Sequence, residues 1–293
     1  MKALIIAEHA AAAAELVAGA RTMADEVVAI SFGGAYECGA DKVLNITVPE
    51  GLTVDSAVET VNAAFDAENP EVVLVEACRH MKVIAGSLAF HADTAVITDV
   101  TAFEAEGAKS MYFGGIAERV QKAAGNVAIY TIGAGVFDGA EGANGSVAEQ
   151  EWVAPARPVK VVSSQVIEKS GVNLFKADVV VAAGRGFAEE SQLSMANDLC
   201  DKLGAGLACS RPLTEGVNWL PTERYVGVSG LMLTPKAYIA VGISGQMQHM
   251  VGCNRSGAIF AINKDKNAPI FKQCDFGLVG DIKDVLPAII AAL

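Results

Sequence analysis

A chain of 293 residues is long enough for two ordinary domains, since compact domains cluster near about 100 to 150 residues. Hydrophobic residues make up 52% and charged residues 19%, so a large core can be buried and a disordered chain is excluded. The formal net charge of −12 excludes a nucleic-acid or anionic-membrane partner, which needs a clustered basic surface.

The first twenty residues, MKALIIAEHAAAAAELVAGA, combine a Lys, a short apolar run and small residues, but Glu8 and His9 interrupt the run too early for a secretory signal. The sequence has no stretch of about 18 uninterrupted apolar residues, so no membrane span is predicted and the expected location is cytoplasmic. Short runs rich in Val and Ile then recur: KALIIAE, EVVAISF, KVLNITV, EVVLVEA, AVITDV and VAIYTIG. They alternate with Ala-rich segments of helical spacing. Apolar runs with almost no alternation suit a parallel sheet covered on both faces, built of βαβ units. From Gly133 to Pro158 the sequence turns rich in Gly, Ala and acidic residues and closes on Pro, which predicts a loop or crossing segment.

The domain boundary is placed near residue 170, giving one α/β domain over residues 1–170 and a second over 171–293. Charge divides the same way. The first part holds 23 acidic and 11 basic residues and the second 11 of each, so the two carry surfaces with different jobs. In the second part DVVVAAG, AGLACSR, AYIAVGIS and GAIFAINKD predict strands, and EESQLSMANDLCDKLG predicts an amphipathic helix ended by Gly204.

Ligands of open parallel sheets lie at the carboxyl ends of the strands. Here those ends read Gly184-Arg185-Gly186, Ser210-Arg211, Gly242-Ile243-Ser244-Gly245 and Asn263-Lys264-Asp265, with a further Gly-x-x-Gly from Gly227 to Gly230. After Gly242 and Gly245 comes a segment carrying Gln248 and His249, read as a backbone brought close to a ligand with a helix N-terminus aimed at it. Glycines, two arginines and small hydroxyls at one edge suit a dinucleotide with its pyrophosphate.

Each piece alone has a plainer reading. A single Gly-x-x-Gly is usually a tight turn, an Arg after a strand a solvated charge, and a lone His a satisfied core or surface residue. Met232, Met247 and Met250 read as core filler and Trp219 as a loop anchor. The coincidence of four strand ends carries the argument. The six cysteines form no C-x-x-C pair, so they read as small hydrophobes in a reducing compartment and no metal site is predicted.

VAAGRGF, CSRP, VGVSG, GISGQMQHMVG, AINKDKNAPIF and DFGLVGDI occur in the order and spacing of the FAD domain of electron transfer flavoprotein alpha subunits, and the chain resembles that family over essentially all of residues 175–293. MYFGGIAE resembles a segment of the family's N-terminal half. Within the family, SRPLTEGVNW, VGVSG, GQMQHMVG and NKDKNAPIF are most similar to the FixB branch, associated with anaerobic carnitine and related acyl-CoA reduction.

The resemblance implies two Rossmann-like α/β domains with parallel sheets, the C-terminal one binding FAD. It sets Arg185, Ser210 and Arg211 against the FAD. Val226, Gly227, Val228 and Ser229, with Gly242, Ser244, Gly245, Gln246, Met247, Gln248 and His249, wrap its ring and phosphates. Asn263, Asp281 and Ile282 hold the ribose and adenine portion. Arg211 is then a permanent cation favouring the reduced, anionic ring, Ser229 a partner for flavin N5, and His249 a donor to the ring's C2 carbonyl.

The family commonly reads Gly-Gln-Thr-Gly where this chain has Gly227 to Gly230, and Gly-Ala-Ile-Gln-His where it has Gly245 to His249. The hydroxyl and the Gln-His pair survive and the first Gln does not, which bears on the flavin's potential. The implied protein is an electron carrier rather than a stand-alone enzyme. Its N-terminal domain contacts a beta subunit that holds AMP or a second FAD, and its redox partners are of the acyl-CoA dehydrogenase or reductase type. Electron bifurcation would depend mainly on the beta chain.

Two rivals are weighed. An NAD-dependent dehydrogenase needs Gly-x-Gly-x-x-Gly directly after a strand, whereas the first strand here runs into AEHAAAAAEL. A non-redox nucleotide-binding scaffold subunit would be expected to lose the strand-end Arg, Ser and His, and they are present.

Overall fold

The computed structural model describes residues 1–139, 142–165 and 172–293. The chain divides into two compact units, Met1–Tyr112 with Glu118–Val166 and Phe113–Ala117 with Ile167–Leu293. The boundary anticipated at residue 170 lies outside the described residues.

In the N-terminal unit the elements run β1 (Lys2–Ile6), α1 (Ala10–Ala20), β2 (Glu26–Phe32), β3 (Lys42–Ile46), α2 (Val58–Glu68), β4 (Val72–Glu76), α3 (Arg79–His91), β5 (Val96–Glu104), β6 (Gly107–Tyr112), β7 (Ala117–Gln121), β8 (Ala128–Ile132) and β9 (Ser146–Glu149). They form one sheet in the order β7-β6-β5-β8-β4-β1-β2-β3-β9. Its centre is parallel, from β5 through β8, β4, β1, β2 and β3 to β9.

Successive residues of β1 face opposite layers. Leu4 and Ile6 join the core under α2 and α3, while Ala3 and Ile5 join the core under α1. This is why the strands read as unbroken apolar runs: both faces are dry. The Ala-rich start of α1 is strong helix-forming sequence, and Asn69 ends α2 in the left-handed conformation.

All six strands expected here are found, with three additions. Residues 107–121 supply β6 and β7, β6 running antiparallel to β5. The Gly-rich stretch read as a loop or crossing segment contains β9, a short edge strand parallel to β3. Ser146–Glu149 is exposed along its whole length, so it lacks the apolar run that marks the other strands.

The C-terminal unit runs β10 (Val179–Ala183), α4 (Leu193–Leu203), β11 (Gly206–Cys209), α5 (Pro212–Glu215), β12 (Ala237–Val241), α6 (Met247–Met250), β13 (Ala258–Asn263), β14 (Phe276–Val279) and α7 (Ile282–Ala292). Its sheet is wholly parallel in the order β11-β10-β12-β13-β14. α4 and α7 cover one face with Leu193, Ala196, Leu199, Ile282 and Leu286. The other face is covered largely by loops and α6, through Leu174, Leu233, Met250 and Ile270. Gly204, at φ +60, closes α4 as its sequence predicts.

Candidate cofactor site

Counted in chain order, the C-terminal sheet is 2-1-3-4-5, the flavodoxin-like doubly wound order, whose ligand crevice opens where the first and third strands lie side by side. That point is the carboxyl end of β10 and β12. Gly184 N–H donates to the Val241 carbonyl at 2.8 Å and Gly186 N–H to the Gly242 carbonyl at 2.9 Å. A Cβ on Gly184 would meet the Gly242 oxygen at 2.4 Å, and one on Gly186 would meet its Cα at 2.5 Å. Gly245 at φ +84 lies equally close to Ile270, and Gly227 at φ +148 to the Gln248 carbonyl. The immediate work of these glycines is therefore to let neighbouring strand ends pack backbone to backbone. The gaps beside these glycines are filled by protein atoms.

The remaining strand ends are knitted to the same edge. Ser210 N–H donates to the Ala183 carbonyl at 2.9 Å, and Pro212 opens α5 directly after Arg211. Arg211 is exposed and its Nε donates to Glu215 at 2.6 Å, an i,i+4 pair that raises its pKa and offsets part of its charge. Arg185 is exposed at the end of β10. The turn over residues 225–231 docks through Val226 N–H to the Cys209 carbonyl and Val228 N–H to the Gln248 carbonyl, with the Tyr225 hydroxyl donating to the Ser229 carbonyl. Val226 is buried, whereas Val228 and Ser229 are exposed.

Asn263 Nδ2 donates to the Ile243 carbonyl at 2.9 Å and so ties β13 to the loop after β12. Asp281 caps α7 by accepting from Lys283 N–H at 2.9 Å, and Ile282 is buried beneath that helix. Ser244, Gln246, Met247 and Gln248 are exposed on the segment that follows β12. α6 is a single turn of four residues, shorter than the helix the sequence suggested.

His249 is the buried member of the set. Its Nε2 lies 3.0 Å from the hydroxyl of Tyr238, itself fully buried in β12, and its Nδ1 meets no partner among the described residues. Burial lowers its pKa to about 4, the Val226 carbonyl opposing the shift, so the ring is neutral at neutral pH. Burial and nearby thiols raise the pKa of Tyr238 well above its ordinary value. Tyr238 escaped sequence reasoning because it opens an apolar strand run; its spacing of 11 residues from His249 was the available signal. Two of the methionines read as core filler are instead exposed, Met232 at 51% and Met247 at 38%, while Met250 is buried. Trp219 is half-buried against the α4 face.

Residues 173–254 match the family model described as the electron transfer flavoprotein FAD-binding domain, and residues 3–157 match the electron transfer flavoprotein domain. Protein FixB of Escherichia coli O139:H28 (strain E24377A / ETEC) is 39% identical over 293 residues, covering 95% of this chain and 94% of that one. Protein FixB of Escherichia coli O157:H7 and of Shigella flexneri match with the same identity and coverage. The chain belongs to the electron transfer flavoprotein alpha family.

In this alpha-type subunit the residues that match the family's FAD-binding domain lie in the C-terminal unit. Membership also implies a beta-type subunit as partner. No helix among the described residues is long and apolar enough to cross a membrane. Of the residues anticipated for the cofactor, Arg185, Ser210, Arg211, Gly242 and Asn263 stand at or just after the carboxyl ends of β10 to β13, whereas Val226 and Ile282 are buried in the core. Asn263 and Asp281 already spend side-chain atoms on the scaffold.

Proposed function

We propose that this subunit binds FAD along the carboxyl edge of β11-β10-β12-β13-β14. With a beta-type subunit holding AMP or a second FAD, it carries electrons between acyl-CoA dehydrogenase or reductase-type partners. The setting is cytoplasmic, in anaerobic acyl-CoA or carnitine-type metabolism, and residues 1–170 form the part that meets the beta subunit. The observation that carries this reading is the convergence of four strand ends on the switch point of a 2-1-3-4-5 sheet.

The residues present fit the cofactor. Two exposed arginines, Arg185 and Arg211, supply permanent positive charge for a pyrophosphate or a reduced ring. The buried Nδ1 of His249 completes no hydrogen bond of good geometry among the described residues, the Val226 carbonyl being the one backbone acceptor that acts on the ring. FAD, when bound, supplies the one- and two-electron chemistry; the protein sets its orientation and its surroundings. In the tautomer in which Nε2 accepts from the Tyr238 hydroxyl, the single proton of the neutral imidazole sits on Nδ1, and that atom can donate to a ring carbonyl. The Ser229 hydroxyl can donate or accept as its partner's protonation changes. The Arg211–Glu215 pair tempers the cation, so Glu215→Gln is expected to favour the reduced cofactor further.

The test is to coexpress the chain with its beta-type subunit and record visible spectra during stepwise reduction. A flavin spectrum that bleaches stoichiometrically supports the electron-carrier reading. A colourless complex that also fails to take up added FAD favours the non-redox nucleotide-binding scaffold.

A further inference from the structure

We propose a divalent transition-metal site in the N-terminal unit, built from Glu8, His9 and Cys78 at the carboxyl ends of β1 and β4. The strand order β3-β2-β1-β4 makes β1 and β4 the adjacent pair from which the chain winds in opposite directions. α1 leaves β1 toward one face of the sheet and α3 leaves β4 toward the other. This is the second switch point of the chain, and doubly wound sheets take ligands at such points.

One ligand atom from each of Glu8, His9 and Cys78 lies within 4.8 Å of the others. Cys78 Sγ stands 3.3 Å from Glu8 Oε2, and His80 Nδ1 lies against both oxygens of the Glu8 carboxylate, at 2.9 Å from Oε1 and 3.0 Å from Oε2. Glu76 fixes the other half of the cluster: one oxygen accepts from the N–H groups of Glu8 at 2.8 Å and His9 at 3.1 Å, and the other lies 2.7 Å from His9 Nδ1. Such outer partners hold metal-ligating side chains in register. The Tyr36 hydroxyl, donating to the Glu8 carbonyl at 2.5 Å, pins the same turn.

Charge decides what the crevice takes. The N–H groups of Glu8 and His9, immediately before α1, are met by the Glu76 carboxylate, so negative charge already stands where a doubly wound fold would hold a phosphate. Two carboxylates, two imidazoles and a thiol remain around it, a set that attracts a cation. Sulfur, nitrogen and oxygen donors together suit Zn²⁺ or Co²⁺ rather than Mg²⁺ or Ca²⁺. The site is open to entry, since Glu8 and Cys78 are half-buried and His9 is exposed.

Burial and the Glu76 and Glu8 carboxylates push the Cys78 thiol up to about 12, so without metal it keeps its proton. Binding replaces that proton: the S–H bond breaks, the thiolate–metal bond forms and one proton leaves to solvent, with no change of oxidation state. Three protein ligands leave one position of a tetrahedral ion for water or a small ligand. The residues lie about seventy positions apart, which is why cysteine spacing alone showed nothing.

The test uses the full chain with its beta-type subunit, stripped with a chelator and then titrated with Co²⁺. One equivalent per chain, retained through gel filtration and showing a near-ultraviolet thiolate-to-cobalt band, is expected. Cys78→Ser should abolish the band, and His9→Ala or Glu8→Gln should weaken binding about tenfold or more. Cys274→Ser, at a half-buried thiol outside the cluster, should leave the band intact. Circular dichroism establishes that each variant is folded, and an unchanged flavin spectrum separates this site from the cofactor edge. No stoichiometric uptake by the folded wild-type complex, or a band that survives Cys78→Ser, overturns the proposal.

Discussion

His249 shows how one buried polar side chain links stability to the cofactor edge. Its folded pKa of about 4 lies below the ordinary value of 6.5, so the unfolded chain binds a proton more readily than the folded one. The stabilisation is complete above about pH 6.5 and drains away as pH falls toward 4, at about 1.4 kcal/mol per pH unit for this group. Urea titrations across that window should show the slope in wild type and a shallower one in His249→Gln. Tyr238→Phe leaves Nε2 buried without its hydroxyl partner and is expected to cost about 1 to 3 kcal/mol, read as a lower denaturation midpoint. A variant as stable as wild type would mean that the Tyr238–His249 contact is not a formed hydrogen bond. The buried thiols of Cys209 and Cys253, pushed up to about 12, belong to the core, as the cysteine spacing suggested.

At the scale of elements, the strand ends of the C-terminal sheet are held by glycines whose missing Cβ atoms would collide with neighbouring backbone. Gly184→Ala should therefore cost more than Gly204→Ala. At Gly184 the new carbon meets the Gly242 carbonyl, whereas at Gly204 nothing lies within 4 Å and the cost is the left-handed backbone alone. The expected values are about 2 to 3 kcal/mol against about 1 kcal/mol, measured by chemical denaturation. Equal costs would contradict the packing role.

Elements with long apolar runs were legible because burial on both faces writes itself into composition. β10, β12 and β13 show it, as do all six strands anticipated in the N-terminal unit. β9 and β14 were not legible, since both are exposed edge strands of four residues. The switch-point glycines could be found in sequence, but their partners across the edge could not, because those contacts join segments about 58 residues apart. The individual site residues came from the family's motifs rather than from spacing, so their roles toward a flavin rest on resemblance joined to edge geometry.

At the scale of the molecule, two doubly wound units each present a switch point, and their chemistry differs. The C-terminal edge offers arginines, hydroxyls and a neutral imidazole, which suits an anionic dinucleotide. The N-terminal edge offers carboxylates, imidazoles and a thiol, with the Glu76 carboxylate already bound to the N–H groups just before α1. The uneven charge seen in the sequence follows the same division. The most direct measurement is FAD affinity of the complex with its beta-type subunit, compared between variants at opposite edges of the C-terminal sheet. Arg185→Ala and Arg211→Ala lie at the carboxyl edge, and Lys236→Ala lies at the amino edge, where Lys236 pairs with Asp178. The account expects weaker FAD retention in both arginine variants and unchanged retention in Lys236→Ala. Retention that is equal in all three, or lost in Lys236→Ala alone, would contradict it.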